Sequence, residues 1–108
     1  MTTEEFVKNF HQEKENILNS CFDRESEYRT LVSVKIERLN LDFEQNEKFK
    51  EVISDLLTDI FYTILLGLDG SASIGNSQQS FKIYDEENNL ISEEGDLDVF
   101  AYEYFHGE

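Results

Sequence analysis

The most constraining feature of this chain is a long run of apolar residues, between positions 49 and 68, with helical spacing. The intervals of three and four place these residues on one broad face of an α-helix. A capping sequence, Asp42-Phe43-Glu44-Gln45, stands before the run, and Gly67-Leu68-Asp69-Gly70 ends it, where glycine can take the left-handed closing conformation. We therefore predict a long central helix, covered on more than one side. Its apolar positions are Phe49, Val52, Ile53, Leu56, Leu57, Ile60, Phe61, Ile64, Leu65 and Leu68.

Two further helices are predicted before the central one. Thr2 and Glu5 have capping-box spacing at the start of a helix over residues 3–21. Residues 24–39 fit two descriptions, because positions 32–37 alternate like a half-buried strand while the wider segment also has an apolar helical face. We prefer a helix with Asp23 as its N-cap, because Glu25 and Glu27 would then lie in the first turn, where the helix dipole favours anions.

The C-terminal part of the sequence predicts a hairpin and a short helix. After a small-residue loop over 70–79, residues 80–84 and 89–92 read as two strands joined by a turn at 85–88. Asp96 is then placed to cap a last helix, and Gly107 lies just past its end. The predicted fold class is therefore α+β. It is helix-dominated, with three N-terminal helices including the long central one, one β-hairpin packed on that helix, and a short C-terminal helix.

Length and composition predict one soluble domain. A chain of 108 residues fits a single domain over 1–108. Its most apolar stretch, residues 56–68, is shorter than the roughly 20 residues that span a bilayer, and the N-terminus lacks the features of a secretion signal. We therefore expect a cytoplasmic protein.

Charge is distributed very unevenly along the chain. Residues 51–108 contain thirteen acids and a single base, Lys82, whereas residues 1–50 contain eleven acids and eight bases. The net charge of −15 thus comes mostly from the second half. Such a balance favours solubility or a basic partner, and it argues against docking on anionic lipid or on the nucleic-acid backbone.

The acids of the C-terminal region are the leading candidates for partner contact. Carboxylates would steer a basic partner, and an exposed tyrosine would supply buried area once the partner docks. The alternative is a merely solvated acidic face. The candidate residues are Asp85, Glu86, Glu87, Glu93, Glu94, Asp98, Tyr102 and Glu103.

A second acidic pair lies on the back of the long helix. Asp55 and Asp59 are four residues apart, so their carboxylates are neighbours on one helical face. The pair is a reserve part of the partner surface. It is also the basis of an alternative, a small metal-binding module or enzyme that would use Asp55, Asp59 and Asp69.

Other chemical signals are local or weak. Asp69-Gly70-Ser71-Ala72-Ser73 resembles the D-x-S-x-S magnesium motif of integrin-type adhesion domains, although here it follows a helix rather than a strand. Turn formation, with Asp69 bonded to local backbone, is the competing interpretation. Cys21 is predicted to be a small core residue. His106 is expected at a helix C-terminus, where the dipole favours it. We expect no catalytic residues, no metal and no cofactor.

The segment Phe61–Gly70, followed by the predicted hairpin from Phe81 to Ile91, resembles small acidic bacterial immunity proteins that neutralise toxins. That resemblance implies a non-enzymatic inhibitor of a basic toxin such as a nuclease. The inhibitor's acids would fill the cleft that normally receives phosphates. A second possibility is a nucleic-acid mimic that acts on DNA-binding proteins. The oligomeric state stays open.

Overall fold

The computed structural model describes residues 1–93 and 95–107, and this part of the chain contains four helices. No strand is present among these described residues, so the predicted α+β class is wrong and the fold is all-α. The helices are α1 (Thr3–Phe22), α2 (Leu31–Arg38), α3 (Phe43–Asp69) and α4 (Asp96–Phe105).

The predicted hairpin is a turn with a single isolated bridge. Tyr84 and Leu90 face each other in antiparallel fashion, and the Ile91 amide donates to the Ile83 carbonyl at 2.7 Å. At the next position the Ser92 hydroxyl replaces a backbone partner. It accepts a hydrogen bond from the Ile83 amide and donates one to the Phe81 carbonyl. Side-chain bonds of this kind compete with a backbone ladder, and here they prevent a regular strand pair.

The contacts of this turn segment also differ from the prediction. Thr3 of α1 donates its hydroxyl to the Ile91 carbonyl, and the Met1 ammonium group contacts Asp85. The Phe81 amide donates to the Leu68 carbonyl at the end of α3. The segment therefore lies across the N-terminus of α1 and the C-terminus of α3.

The second helix is shorter than the predicted range of 24–39. Thr30 is its N-cap, and its side chain accepts from the Ser33 amide. Asp23 instead closes α1, and its carboxylate accepts from the amides of Glu25 and Ser26 in a local turn. This side-chain bonding to the backbone favours a turn over a helical start.

The predicted ends of the longer helices are confirmed. Thr2 with Glu5, and Asp42 with Gln45, form complete capping boxes on α1 and α3. Gly70 closes α3 in the left-handed conformation at φ 86°. The cap of α4 differs from the prediction, because Gly95 is the N-cap and Asp96 is the first helical residue.

The apolar residues with no exposed surface lie where α1, α3 and α4 meet. Val7, Leu65, Leu97 and Ala101 have no exposed surface, and they join α1, α3 and α4. Phe10 meets Phe61 and Phe22 meets Phe49, so α1 runs antiparallel to α3. α2 packs against α1.

The prediction that α3 is covered on more than one side holds only in part. α1 and α4 both pack against α3. However, the row that contains Ile60 and Ile64 is left open to solvent, with 43% and 40% of these two residues exposed.

Candidate functional site

Acidic and aromatic residues of α3 and α4 form one continuous surface. Tyr62 of α3 packs edge-on against His106 at the end of α4, with ring centroids 4.5 Å apart, and His106 also borders Tyr102. The pKa of Tyr62 is raised by partial burial and by the charge of Asp98. We call the surface formed by Asp55, Asp59, Tyr62, Asp98 and Tyr102 the α3–α4 acidic face.

The sequence predicted four of these five residues as partner contacts, in two separate groups, and it placed Tyr62 on the same stripe of α3 as Asp55 and Asp59. Asp55 and Asp59 are exposed on α3, and Tyr102 is exposed on α4. Asp98 is half-buried, which fits its closeness to Tyr62. Tyr62 is the contact that joins the two groups, and only the packing of α4 on α3 shows this.

The acidic face carries no internal neutralisation in the described residues. Among residues 1–93 and 95–107, the ion pairs join Met1 with Asp85, Arg24 and Arg29 with Glu37, and Lys48 with Glu44. The carboxylates of Asp55, Asp59 and Asp98 belong to none of these pairs. They therefore remain free to attract a cationic group.

The turn acids have a different setting. Asp85 contacts the Met1 ammonium at 2.9 Å and also accepts from the side chain and backbone of Asn89. The Met1 contact is the largest cause, and together these bonds hold the pKa of Asp85 well below its ordinary value. Asp85 is thus a structural group that fastens the turn to α1, while Glu86 and Glu87 are exposed beside it.

The remaining predicted acids are more scattered. Glu93 is exposed in the segment before α4, and Glu103 is exposed on α4. Burial raises the pKa of Tyr104, and the charges of Glu4 and of its sequence neighbour Glu103 raise it further. Glu94 lies outside the described residues.

The candidate metal ligands do not converge. No group of three or more His, Cys, Asp or Glu side chains in the described part of the chain could hold a metal ion. Asp69 accepts from the Ser71 hydroxyl at 3.0 Å and from the Gly95 amide at 3.2 Å. Its carboxylate therefore ties the end of α3 to the start of α4.

The structure also shows the surroundings of the two other residues discussed from sequence, Cys21 and His106. Cys21 is buried, and burial raises the pKa of its thiol. His106 stands at the C-cap of α4, as predicted, and its ring lies between Tyr62 and Tyr102.

An open apolar cleft of about 550 Å³ was not anticipated. Phe6 and Phe10 of α1, Phe61 of α3, and Ile83 and Ile91 of the turn segment line it. Its polar lining comes from Asn9, Glu13, Tyr84 and the Met1–Asp85 pair. The cleft draws on three distant segments, so no local pattern in the sequence could reveal it.

A row of exposed apolar residues on α3 was also missed as a surface. Val52, Leu56, Ile60 and Ile64 were assigned to the core because their spacing fits a buried helix. The sequence signal that could have revealed this exposed row is the breadth of the apolar pattern, because the pattern is wider than the area that two neighbouring helices cover.

Comparisons with known proteins leave these features to be interpreted on physical grounds. No protein family, no curated protein and no solved structure matches this chain. Within the described residues, every helix is too short or too polar to cross a membrane.

Proposed function

We propose that this protein is a non-enzymatic binding protein that uses the α3–α4 acidic face to hold and block a basic protein. The single observation that supports this function is the continuity of the face across two helices, through Tyr62 and its contacts with α4. Unpaired carboxylates would attract lysine or arginine of the partner, and Tyr102 would provide an apolar anchor.

The nature of the partner is the second part of the proposal. We propose a toxin with a cationic active-site cleft, such as a nuclease, for which this chain would act as an immunity protein. The support is the resemblance in the segment Phe61–Gly70 together with the charge distribution, since unpaired carboxylates can occupy a cleft built for phosphates. Steering of this kind predicts association that is fast at low salt and slower as salt is added.

A retention experiment with charge reversal tests the proposal. Tagged protein is incubated with lysate of the source cell, washed at low and at high salt, and the retained proteins are identified by mass spectrometry. We expect one basic protein to survive the high-salt wash with the natural chain. The variant Asp55→Lys/Asp59→Lys should lose it, because both residues are exposed members of the acidic face.

A matched control separates a specific face from net charge. Glu25→Lys/Glu27→Lys changes the total charge equally, at exposed positions before α2, and it should retain the partner. If both variants lost binding equally, and many DNA-binding proteins left together at high salt, the chain would be a nucleic-acid mimic instead. If the natural chain retained no protein at either salt, the binding function would be refuted.

A further inference from the structure

The outer face of α3 carries an uncovered apolar row. Val52, Leu56, Ile60 and Ile64 are 63%, 51%, 43% and 40% exposed. Residues four apart lie above one another on a helix, so the four side chains form a ridge about 18 Å long. We call these four residues the α3 apolar row.

The molecule has more surface than its mass requires. Its accessible surface is 7606 Å², whereas a compact monomer of 12.7 kDa exposes about 6,200 Å². Its radius of gyration is 16.4 Å, against about 13 Å for a compact domain of this length. The difference in surface, about 1,400 Å², belongs to the whole elongated molecule of 46 × 30 × 26 Å, and the α3 apolar row is one of the surfaces left uncovered.

The charges beside the row favour a basic occupant. Asp55 and Asp59 lie along one flank of the row, at positions that directly precede Leu56 and Ile60. If a second copy paired antiparallel, with Leu56 on Ile60, the aspartate flanks of the two copies would meet on the same edge. Like charges placed opposite one another disfavour that arrangement. A partner helix with lysine or arginine beside its own apolar residues would cover the α3 apolar row and would also pair with Asp55 and Asp59.

The geometry points to a basic amphipathic helix, belonging to the partner protein, as the segment that docks along the α3 apolar row. This inference rests on the proposed function, and it adds the shape and chemistry of the element that is recognised. About three turns of helix match the length of the row. Apolar residues at intervals of three and four would cover it, as in other helix-in-groove complexes, while basic residues would meet Asp55 and Asp59.

Designed peptides test this directly. One probe is a synthetic peptide of about 18 residues with leucines along one helical face and lysines beside them, and the second has glutamate at every lysine position. Fluorescence anisotropy at physiological salt measures binding to the full chain. We expect the lysine peptide to bind at least about tenfold more tightly than the glutamate peptide.

Variants of α3 then locate the binding. Leu56→Gln/Ile60→Gln keeps good helix formers in α3 and should weaken the lysine peptide at least about tenfold. Leu31→Gln is the matched control, because Leu31 is an equally apolar side chain, 68% exposed, on α2. It should leave the affinity unchanged. Circular dichroism of each variant checks that the helices persist.

Three outcomes would overturn the inference. The two peptides could bind equally, or the row variant could bind the lysine peptide as well as the natural chain does. Alternatively, sedimentation could show a dimer that Leu56→Gln/Ile60→Gln dissociates, in which case a second copy covers the row. The row variant in the lysate experiment separates the two proposals, because a partner that it retains and Asp55→Lys/Asp59→Lys loses would refute the docked helix alone.

Discussion

The two ends of α3 have opposite surroundings. Toward its C-terminus, α3 packs between α1 and α4, and Leu65 is fully buried with Val7 and Leu97. Toward its N-terminus, Val52 and Leu56 face solvent, although they belong to the same apolar pattern. We call these regions the closed end and the open end. The comparison teaches that the apolar pattern of one helix can serve a core at one end and an exposed surface at the other, although Ile60 and Ile64 stay 43% and 40% exposed on the outer side toward the closed end.

The cause of the difference is the number of elements that reach each end. α4 and the segment 81–92 both pack near the start of α1 and the end of α3, and Gly70 turns the chain back toward them. At the open end, α1 is the helix that packs on α3, while α2 packs on α1. Apolar residues beyond the width of α1 therefore stay exposed.

The largest expected effect is a pair of leucine truncations that compares the two ends. Leu65→Ala should lower the free energy of unfolding by about 2–5 kcal/mol, because it leaves a cavity in a fully buried site. Leu56→Ala should lower it by about 1 kcal/mol or less, because about half of its surface is already exposed. Urea denaturation of both variants provides the measurement. A Leu56→Ala loss that grows with protein concentration would show that the open end is buried in an oligomer.

The second prediction concerns the attachment of α2 at the open end. The Ser33 hydroxyl donates to the Asp23 carbonyl at 2.8 Å and accepts from Arg29, and Ser33 is almost fully buried. Ser33→Ala removes both bonds from a buried position, one of them made with the charged Arg29, which should cost about 1–3 kcal/mol. Amide hydrogen exchange should show faster opening of α2 with little change in α4.

A control sharpens the Ser33 experiment. Ser20→Ala removes an exposed hydroxyl that bonds only within α1, to the Asn16 carbonyl. It should leave the exchange of α2 unchanged. If Ser33→Ala accelerated exchange equally in α2 and α4, the open end would not be an independent unit, and the comparison of the two ends would fail.

The third prediction concerns the turn that builds the closed end. Gly70 has φ 86°, and a Cβ there would meet the backbone of Ser80 at 3.1 Å. The left-handed conformation alone should make Gly70→Ala cost about 1–2 kcal/mol of folding free energy. The close approach to Ser80 should add to that cost. Gly75→Ala is the matched control, because Gly75 also has positive φ but no atom lies within 4 Å of its added Cβ. Thermal melts should show a larger loss for Gly70→Ala, and equal losses would mean that Ser80 yields without cost.

The helices could be predicted from sequence, but their assembly could not. The capping boxes at Thr2 and Asp42 and the closing glycine at Gly70 are local signals, so the limits of α1 and α3 were found. The prediction of a hairpin is wrong because the Ser92 hydroxyl, rather than a backbone carbonyl, accepts the hydrogen bond of the Ile83 amide. A single hydroxyl gives no periodic signal, whereas the alternation on either side of the turn predicts a strand pair.

The same distinction between local sequence signals and long-range contacts applies to the candidate site. Asp55, Asp59, Asp98 and Tyr102 were chosen from sequence, because their helical positions point away from the apolar faces. Their union through Tyr62 depends on how α4 crosses α3, which is a long-range contact. Asp85 was chosen for its charge alone, and its hydrogen bonds with Met1 and Asn89 show a structural role that charge patterning cannot reveal.

The smallest expected effect is a pH dependence at the closed end. The Met1 ammonium and the hydrogen bonds of Asn89 lower the pKa of Asp85, so folding favours its ionised form. This contribution to stability is present above the ordinary aspartate pKa, near 4, and is lost as the pH falls toward the depressed folded value. Asp85→Asn should therefore be less stable at pH 7 and should lose less stability than the natural chain between pH 5 and pH 2. Urea titrations across that range give the comparison, with Glu86→Gln, an exposed carboxylate in the same turn, as the control. If Asp85→Asn and the natural chain lost stability in parallel, the turn would not be held to α1 by charge, and the closed end would depend on its apolar contacts alone.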